Sequence, residues 1–375
     1  MTYKKQRNCC IIFLIFLFSP CVYSYEDNRL IATITAGVNP AWIAITPDNC
    51  FGYVANNNNY GITDQDTVSV LNLTNNTVQQ IIHDDSFDEP YRIAINSTGT
   101  KAYVTNSNGS TITIIDIPTN TVEGLIDGFD GPSGIVITPS GNFAYVNNYG
   151  APAGLGSGNG RTISVVNLNT NTIVETIVVG LAPAALAITP DGAFVYVVNY
   201  IDGTPNNGTI SVIQTSTNTV VKTITGLSGP FGIAITPNGK YAYVTNFGSN
   251  NFIPIGTTVS VVDLSNNTIS ATINLAIQPS GIAITPDGCF AYATNYNTLY
   301  SHPKTFTGLT AGQGTINIID IATNTVIPPI IAVGQSSNSI AISPNGKFAY
   351  VTNYTSNTVS VVKIPKRRID RMWLN

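Results

Sequence analysis

The sequence predicts an all-β fold, a seven-bladed β-propeller of four-stranded antiparallel blades. Three observations lead there. One six-residue phrase recurs seven times, as "FGYVAN", "KAYVTN", "FAYVNN", "FVYVVN", "YAYVTN", "FAYATN" and "FAYVTN", ending at Asn56, Asn106, Asn148, Asn199, Asn246, Asn295 and Asn353. Each copy sits in a unit of four short strand-like runs separated by turn signals. Nothing after the N-terminal segment reads as a long amphipathic helix. Four short strands repeated at roughly 42–58 residues is the pattern of a propeller, one blade per copy.

Residues 230–273 show the unit most clearly. "GIAIT" alternates large and small apolar residues, "YAYVT" mixes aromatic and β-branched ones, and "TVSVVDL" and "TISATI" alternate again. All four have strand length and strand composition. Between the first two lies "TPNG", where proline presets φ and glycine supplies a left-handed residue, as a tight hairpin requires. "TPDN", "TPSG", "TPDG" and "SPNG" are its counterparts, and "NSTG" (96–99) keeps the glycine without the proline. Between the third and fourth strands, stretches such as "LSNNT" and "IATNT" offer Asn and Thr side chains that bond their own backbone in a turn.

The two ends of the chain predict how the ring closes. The last repeat supplies three strands, to about residue 364, and "RLIATI" (29–34) resembles the fourth strand of other repeats. The N-terminal strand is therefore expected to complete the last blade, leaving no open edge. Cys50 and Cys289 occupy the same turn position two blades apart in such a ring. That is too far for a disulfide, and both are expected to remain thiols.

The phrase, the preceding "TPDG" turn and the following "TVSVVDL" strand resemble the YVTN β-propeller repeat family across about residues 29–364. The resemblance implies an exported or surface-layer type of protein. Related seven-bladed propellers include lactonases and other enzymes, so the fold alone does not specify activity.

The first 24 residues read as a signal peptide. Lys4, Lys5 and Arg7 precede the apolar run "CCIIFLIFLF", and Val22 and Ser24 suit cleavage after Ser24. A lipid-anchored alternative would use Cys21, which Pro20 fits poorly. No second long apolar run follows, so no transmembrane segment is expected, and the localisation expected is periplasm, cell surface or medium. The organisation is thus signal peptide 1–24, propeller 25–364 and basic tail 365–375. Removing the signal leaves 13 Lys and Arg against 20 Asp and Glu, a net charge of −7. An acidic, sparsely charged body argues against broad electrostatic binding to nucleic acid.

Strand order puts the short, uniform turns on one face. The other face carries the blade-to-blade connections and the loops between second and third strands, which vary from "NSNGST" to the long "NYNTLYSHPKTFTGLTAGQGT" (295–315). Variable loops on a rigid scaffold are where function concentrates. Five blades place an aromatic after the repeated Asn: Tyr149, Tyr200, Phe247, Tyr296 and Tyr354. These either ring the channel mouth as a binding surface or pack the bases of the loops. With Tyr300 and His302 of the long loop, and Arg92, the one charged residue among the first strands, they make up the candidate ligand-binding set. The repeated Asn residues are read as structural, satisfying backbone groups of the loops.

Chemistry-bearing groups are few. His83 precedes the acidic stretch Asp84, Asp85, Asp88 and Glu89, which reads either as a Ca²⁺ site or as a solvated acidic loop and fits no defined calcium-loop spacing. "GLGSGNG" (154–160) lacks the helix and lysine of a phosphate loop. No catalytic residue, cofactor or structural metal is assigned. The expected function is a non-enzymatic, monomeric exported propeller that binds a protein, glycan or envelope component through its long-loop face. The alternative is a lactonase-like or other hydrolase or lyase with its site in the channel mouth, drawing on Arg92, His302 or residues 84–89. A third reading is nucleic-acid binding through the basic tail.

Overall fold

A computed structural model describes residues 28–57, 66–150, 159–201, 208–248, 255–275, 278–296 and 312–365. They form 28 strands in seven four-stranded antiparallel sheets. Blade one shows the order: β2 (Pro40–Ile45), β3 (Phe51–Asn56), β4 (Thr67–Asn72) and β5 (Thr77–His83) pair in sequence, from the channel outward. The innermost strands of the other blades are β6 (Pro90–Ile95), β10 (Pro132–Ile137), β14 (Pro183–Ile188), β18 (Pro230–Ile235), β22 (Pro279–Ile284) and β26 (Ser337–Ile342). Each packs on the innermost strand of the next blade, and β2 packs on β26, which closes the ring. Among the described residues no helix is long and apolar enough to cross a membrane.

Closure follows the sequence expectation. β1 (Arg29–Thr35) pairs antiparallel with β28 (Thr358–Lys363), from Arg29 opposite Lys363 to Thr35 opposite Thr358. It forms the outer strand of blade seven, so the last sheet contains both ends of the propeller. Cys50 and Cys289 form no disulfide; each lies half-buried on the short-turn face, its backbone N–H donating to Asp48 or Asp287.

The hairpins behave as their residues require. Gly141, Gly192, Gly239, Gly288 and Gly346 take φ between 68° and 76°, and Asn49 replaces glycine in blade one at 65°. Thr46 Oγ1 accepts from the Phe51 N–H at 3.0 Å, an arrangement repeated at Thr189, Thr236 and Thr285 and, with a serine, at Ser343.

Four letters of the repeated phrase make recurring contacts. The valine is core: Val54, Val104, Val146, Val197, Val244 and Val351 are fully buried between neighbouring sheets. The tyrosine reaches the next blade and donates to an Asn in its outer turn: Tyr145 to Asn218, Tyr196 to Asn267 and Tyr243 to Asn324, each at 2.6 Å, with Tyr53 likewise bonded to Asn120. These turn Asn residues sit at φ of 50–57°, a conformation Asn tolerates better than most residues. Tyr292 of blade six donates instead to Asn28, at 2.7 Å, so the N-terminal strand supplies blade seven with the same latch. The threonine ties inner strands together: Thr245 Oγ1 accepts from Gly232 N–H and donates to Ser280 O of the next blade at 2.7 Å, and Thr352 donates to Ala41 O across the closure.

The repeated Asn differs from expectation in its partners. Its amide nitrogen bonds two side chains on the third strand of its own blade, and among the described residues only Asn148 also accepts from loop backbone, the Asp130 N–H at 3.4 Å. Asn56 donates to Thr67 and Ser69, Asn246 to Thr258 and Ser260, and Asn353 to Thr358 and Ser360, all at 2.8–3.0 Å. The "T-x-S" of "TVSVV" is the other half of the same motif.

Candidate functional site

Each blade exits its second strand beside the start of its innermost strand, on the long-loop face. The residue just before every innermost strand is left-handed: Asn39, Glu89, Gly131, Ala182, Gly229, Gln278 and Ser336, with φ of 50–57°. Its carbonyl accepts the N–H of the residue after the repeated Asn, at 2.9–3.1 Å in all seven blades. Tyr149, Tyr200, Phe247, Tyr296 and Tyr354 are therefore fixed by backbone geometry at the rim of the channel. A loop tip would leave them free to wander, whereas here the scaffold sets where each ring starts.

Three of the five join a continuous aromatic arc across blades four to six. Tyr200 meets Phe231 edge-on at 6.4 Å, Phe231 meets Phe247 at 5.5 Å, and Phe247 meets Tyr296 at 6.1 Å. Phe247 is buried, while Tyr200, Phe231 and Tyr296 are half-exposed. The Tyr200 hydroxyl donates to Gly248 O at 2.5 Å, which fixes its ring against blade five. The rings pack on each other, and Tyr200, Phe231 and Tyr296 keep a minor part of their surface exposed. Phe231 was not among the candidates from sequence. Its signal was available: the second position of the innermost strand is Ala, Ser or Asn in five blades, and an aromatic only at Tyr91 and Phe231.

The other side of the mouth is built around Arg92. It lies on β6, 6% exposed, with its guanidinium 3.8 Å from the centre of the Trp42 ring on β2. Its Nε and Nη2 are buried and have no hydrogen-bond acceptor among the described residues. Burial lowers its pKa to about 10, partly offset by Tyr91. Tyr91 precedes it and lies near enough to the side chain of Asn338 on β26, two blades away, for that amide to favour its phenolate. Burial raises the Tyr91 phenol and pushes the Tyr149 phenol up to about 12. At neutral pH this side of the mouth therefore holds one cation among neutral aromatic and amide groups.

The acidic stretch leads directly into β6, at the start of blade two. Asp84 accepts from Ser86 N–H at 3.0 Å, Asp88 from Asn108 Nδ2 at 2.8 Å, and Asp66 from Glu89 N–H at 2.9 Å. Burial, then Asp66 and Asp88, raise the Glu89 carboxyl. Asp84 and Asp85 are exposed, and among the described residues no three His, Cys, Asp or Glu side chains converge as a metal-holding group. His83 is exposed at the end of β5. Tyr300, His302 and the tail from Lys366 lie outside the described residues.

The short-turn face carries clefts between neighbouring blades, such as one of about 410 Å³ lined by Pro286, Asp287, Pro344 and Lys347. A similar cleft between blades one and two is lined by Pro47, Asp48, Gly99 and Pro118. They recur with the turn itself and gather no group of unusual chemistry.

Comparison with known proteins supports the architecture. The family model described as "Lactonase, 7-bladed beta-propeller" matches residues 221–367, well under half of the chain. The chain is 29% identical over 144 residues to the seven-bladed beta-propeller protein Rv1057 of Mycobacterium tuberculosis, covering 38% of this chain and 33% of that protein. It is 44% identical over 54 residues to the PE-PGRS family protein PE_PGRS18 of the same organism, covering 14% of this chain and 12% of that protein. The matches thus span a third or less of these relatives. Among solved structures, a chain of Kuenenia stuttgartiensis hydrazine synthase superposes with a TM-score of 0.71 at 20% identity, covering 88% of this chain and 96% of that one. At that identity the likeness is one of fold.

Proposed function

We propose that this chain is an exported, non-catalytic propeller of the YVTN repeat type, whose long-loop mouth binds a protein or glycan of the cell envelope. The observation that supports this best is the arc Tyr200–Phe231–Phe247–Tyr296, with rings anchored at the rim and half-exposed. Rigid rings that show one apolar face suit the apolar face of a sugar or an apolar side chain, and they lose little entropy on binding. Export and the YVTN assignment rest on residues 1–24 and the seven phrases. N-terminal sequencing of the mature protein is expected to begin at Tyr25.

The test is a Phe231→Ala/Tyr296→Ala double variant against wild type, on a glycan array and in cross-linked pull-downs from the envelope fraction. Loss of specific signals supports the face, and unchanged capture in both assays removes it. A lactonase-like hydrolase is the second reading, favoured by the family-model match over residues 221–367. Turnover on a panel of lactones, abolished by Arg92→Gln, would put it first; no turnover by the wild-type protein would set it aside.

A further inference from the structure

Arg92 is the least well-explained group in the described structure. An arginine is charged at neutral pH and expensive to bury without an acceptor, and proteins normally pair such groups. Here one face of the guanidinium is covered by Trp42, at 3.8 Å, which accounts for the plane of the group but supplies no acceptor in that plane. The two atoms left without a partner are Nε and Nη2. They are neighbours on one edge of the guanidinium and together form the fork that donates to two oxygens side by side. Ser339, at the equivalent position of β26 on the other side of Trp42, also keeps a buried hydroxyl without a partner. Tyr91, next to it on β6 and near Asn338, adds a neutral phenol to the same part of the channel.

We propose that Arg92, backed by Trp42 and Tyr91, is an anion site in the channel of the propeller, and that its ligand is the carboxylate of a small organic acid. The free edge matches two coplanar oxygens. Among the described residues, Tyr91 is the titratable group that acts on Arg92, so the site offers a single positive charge. In a desolvated site one cation balances one negative charge. A carboxylate meets that condition, whereas a phosphate monoester carries close to two charges near neutral pH and would bury an excess. This site shares no residue with the aromatic arc, so it stands or falls separately from the mouth-binding reading.

The chain contains two tryptophans, Trp42 and Trp373. In a Trp373→Phe protein, emission comes from Trp42 alone, stacked on the guanidinium. Sodium acetate and propionate are titrated at fixed pH and fixed ionic strength, with inorganic phosphate as the comparison anion. The expected result is a saturable change in Trp42 emission with half-saturation at millimolar carboxylate. It should weaken at least tenfold in Arg92→Gln and in Arg92→Lys, and stay unchanged in Phe231→Ala. The lysine variant keeps the charge but not the fork, so it remains informative if the glutamine variant fails to fold. A linear, non-saturating response overturns the site, as does an equal response in the Arg92→Lys protein. Phosphate binding more tightly than either carboxylate overturns the ligand class.

Discussion

Replacing Tyr243 by Phe removes one hydroxyl and leaves the ring. In the structure that hydroxyl donates to Asn324 Oδ1 at 2.6 Å and joins the middle of blade five to the outer turn of blade six. Tyr243 is fully buried, so the variant keeps its packing and loses only the bond. A net hydrogen bond of this kind contributes about 0.5–1.5 kcal/mol. Asn324 is half-exposed and can be rehydrated, so a loss of about 1 kcal/mol is expected.

Blade two supplies the internal control. Tyr103 occupies the same position and is 3% exposed, yet its hydroxyl has no bonded Asn, and Oδ1 of Asn171, the equivalent turn residue, is buried without a partner. Tyr103→Phe should therefore change stability by less than about 0.5 kcal/mol. Urea titrations of both variants, followed by circular dichroism, read the difference directly. With a denaturant slope of about 3 kcal/mol/M, the Tyr243 variant should unfold about 0.3 M earlier and the Tyr103 variant with wild type. A double-mutant cycle of Tyr243→Phe with Asn324→Ala should give a coupling of about 1 kcal/mol. Equal midpoint shifts in the two Phe variants, or zero coupling in the cycle, would refute the latch as a source of inter-blade stability.

Two further predictions concern the whole ring. Deleting residues 25–35 from the mature chain removes β1 and exposes the edge of β28; gel filtration should then show dimers or aggregates, and the melting temperature should fall, because an unpaired edge strand seeks another strand. Alkaline pH should unfold the protein through its buried tyrosines, since burial pushes Tyr53, Tyr145, Tyr196 and Tyr350 from 10 up to about 12. A phenol with a raised folded pKa stabilises fully below pH 10 and loses that contribution as pH climbs toward 12, so melting temperature should be flat to about pH 10 and fall steeply above it, with tyrosinate absorbance appearing together with unfolding.

The fold was legible because the repeat is written in contacts that leave a residue-level trace. Tyr, Val, Thr and Asn recur since each bonds or packs against a neighbour that also recurs, including the Asn of "NNT" and the Thr and Ser of "TVSVV". Even the closure could be read, from the likeness of "RLIATI" to an outer strand. The partners of the latch were harder to see. Tyr243 and Asn324 are 81 residues apart, and only the blade-to-blade geometry brings them together. The repeated Asn was placed correctly as structural, but its main partners are on the adjacent strand, and among the described residues loop backbone is reached only by Asn148, from the Asp130 N–H.

The candidate site was only half legible, for a reason that lies in the packing of the inner strands. The third position of those strands is Gly in blades three, five and six, at Gly134, Gly232 and Gly281. A β-carbon there would collide with the Asn147 side chain of the same blade at Gly134, and with Ser280 O and Asn338 O of the adjoining blade at Gly232 and Gly281. At Gly232 and Gly281 the innermost strands of blades five, six and seven approach too closely to carry a side chain. Blades one and two carry the two largest departures from this rule, Trp42 and Arg92, and they lie against each other. An arginine and a tryptophan on adjacent innermost strands therefore mark where this ring position carries large side chains, stacked on each other. Within one repeat each looks like tolerated variation, and Trp42 reads as one more apolar residue of "WIAIT". Their meaning appears only when the ring places position three of one blade beside position three of the next. In a propeller, then, the residues that obey the repeat build the scaffold, and a cluster of residues that break it at one ring position is where a ligand is to be sought.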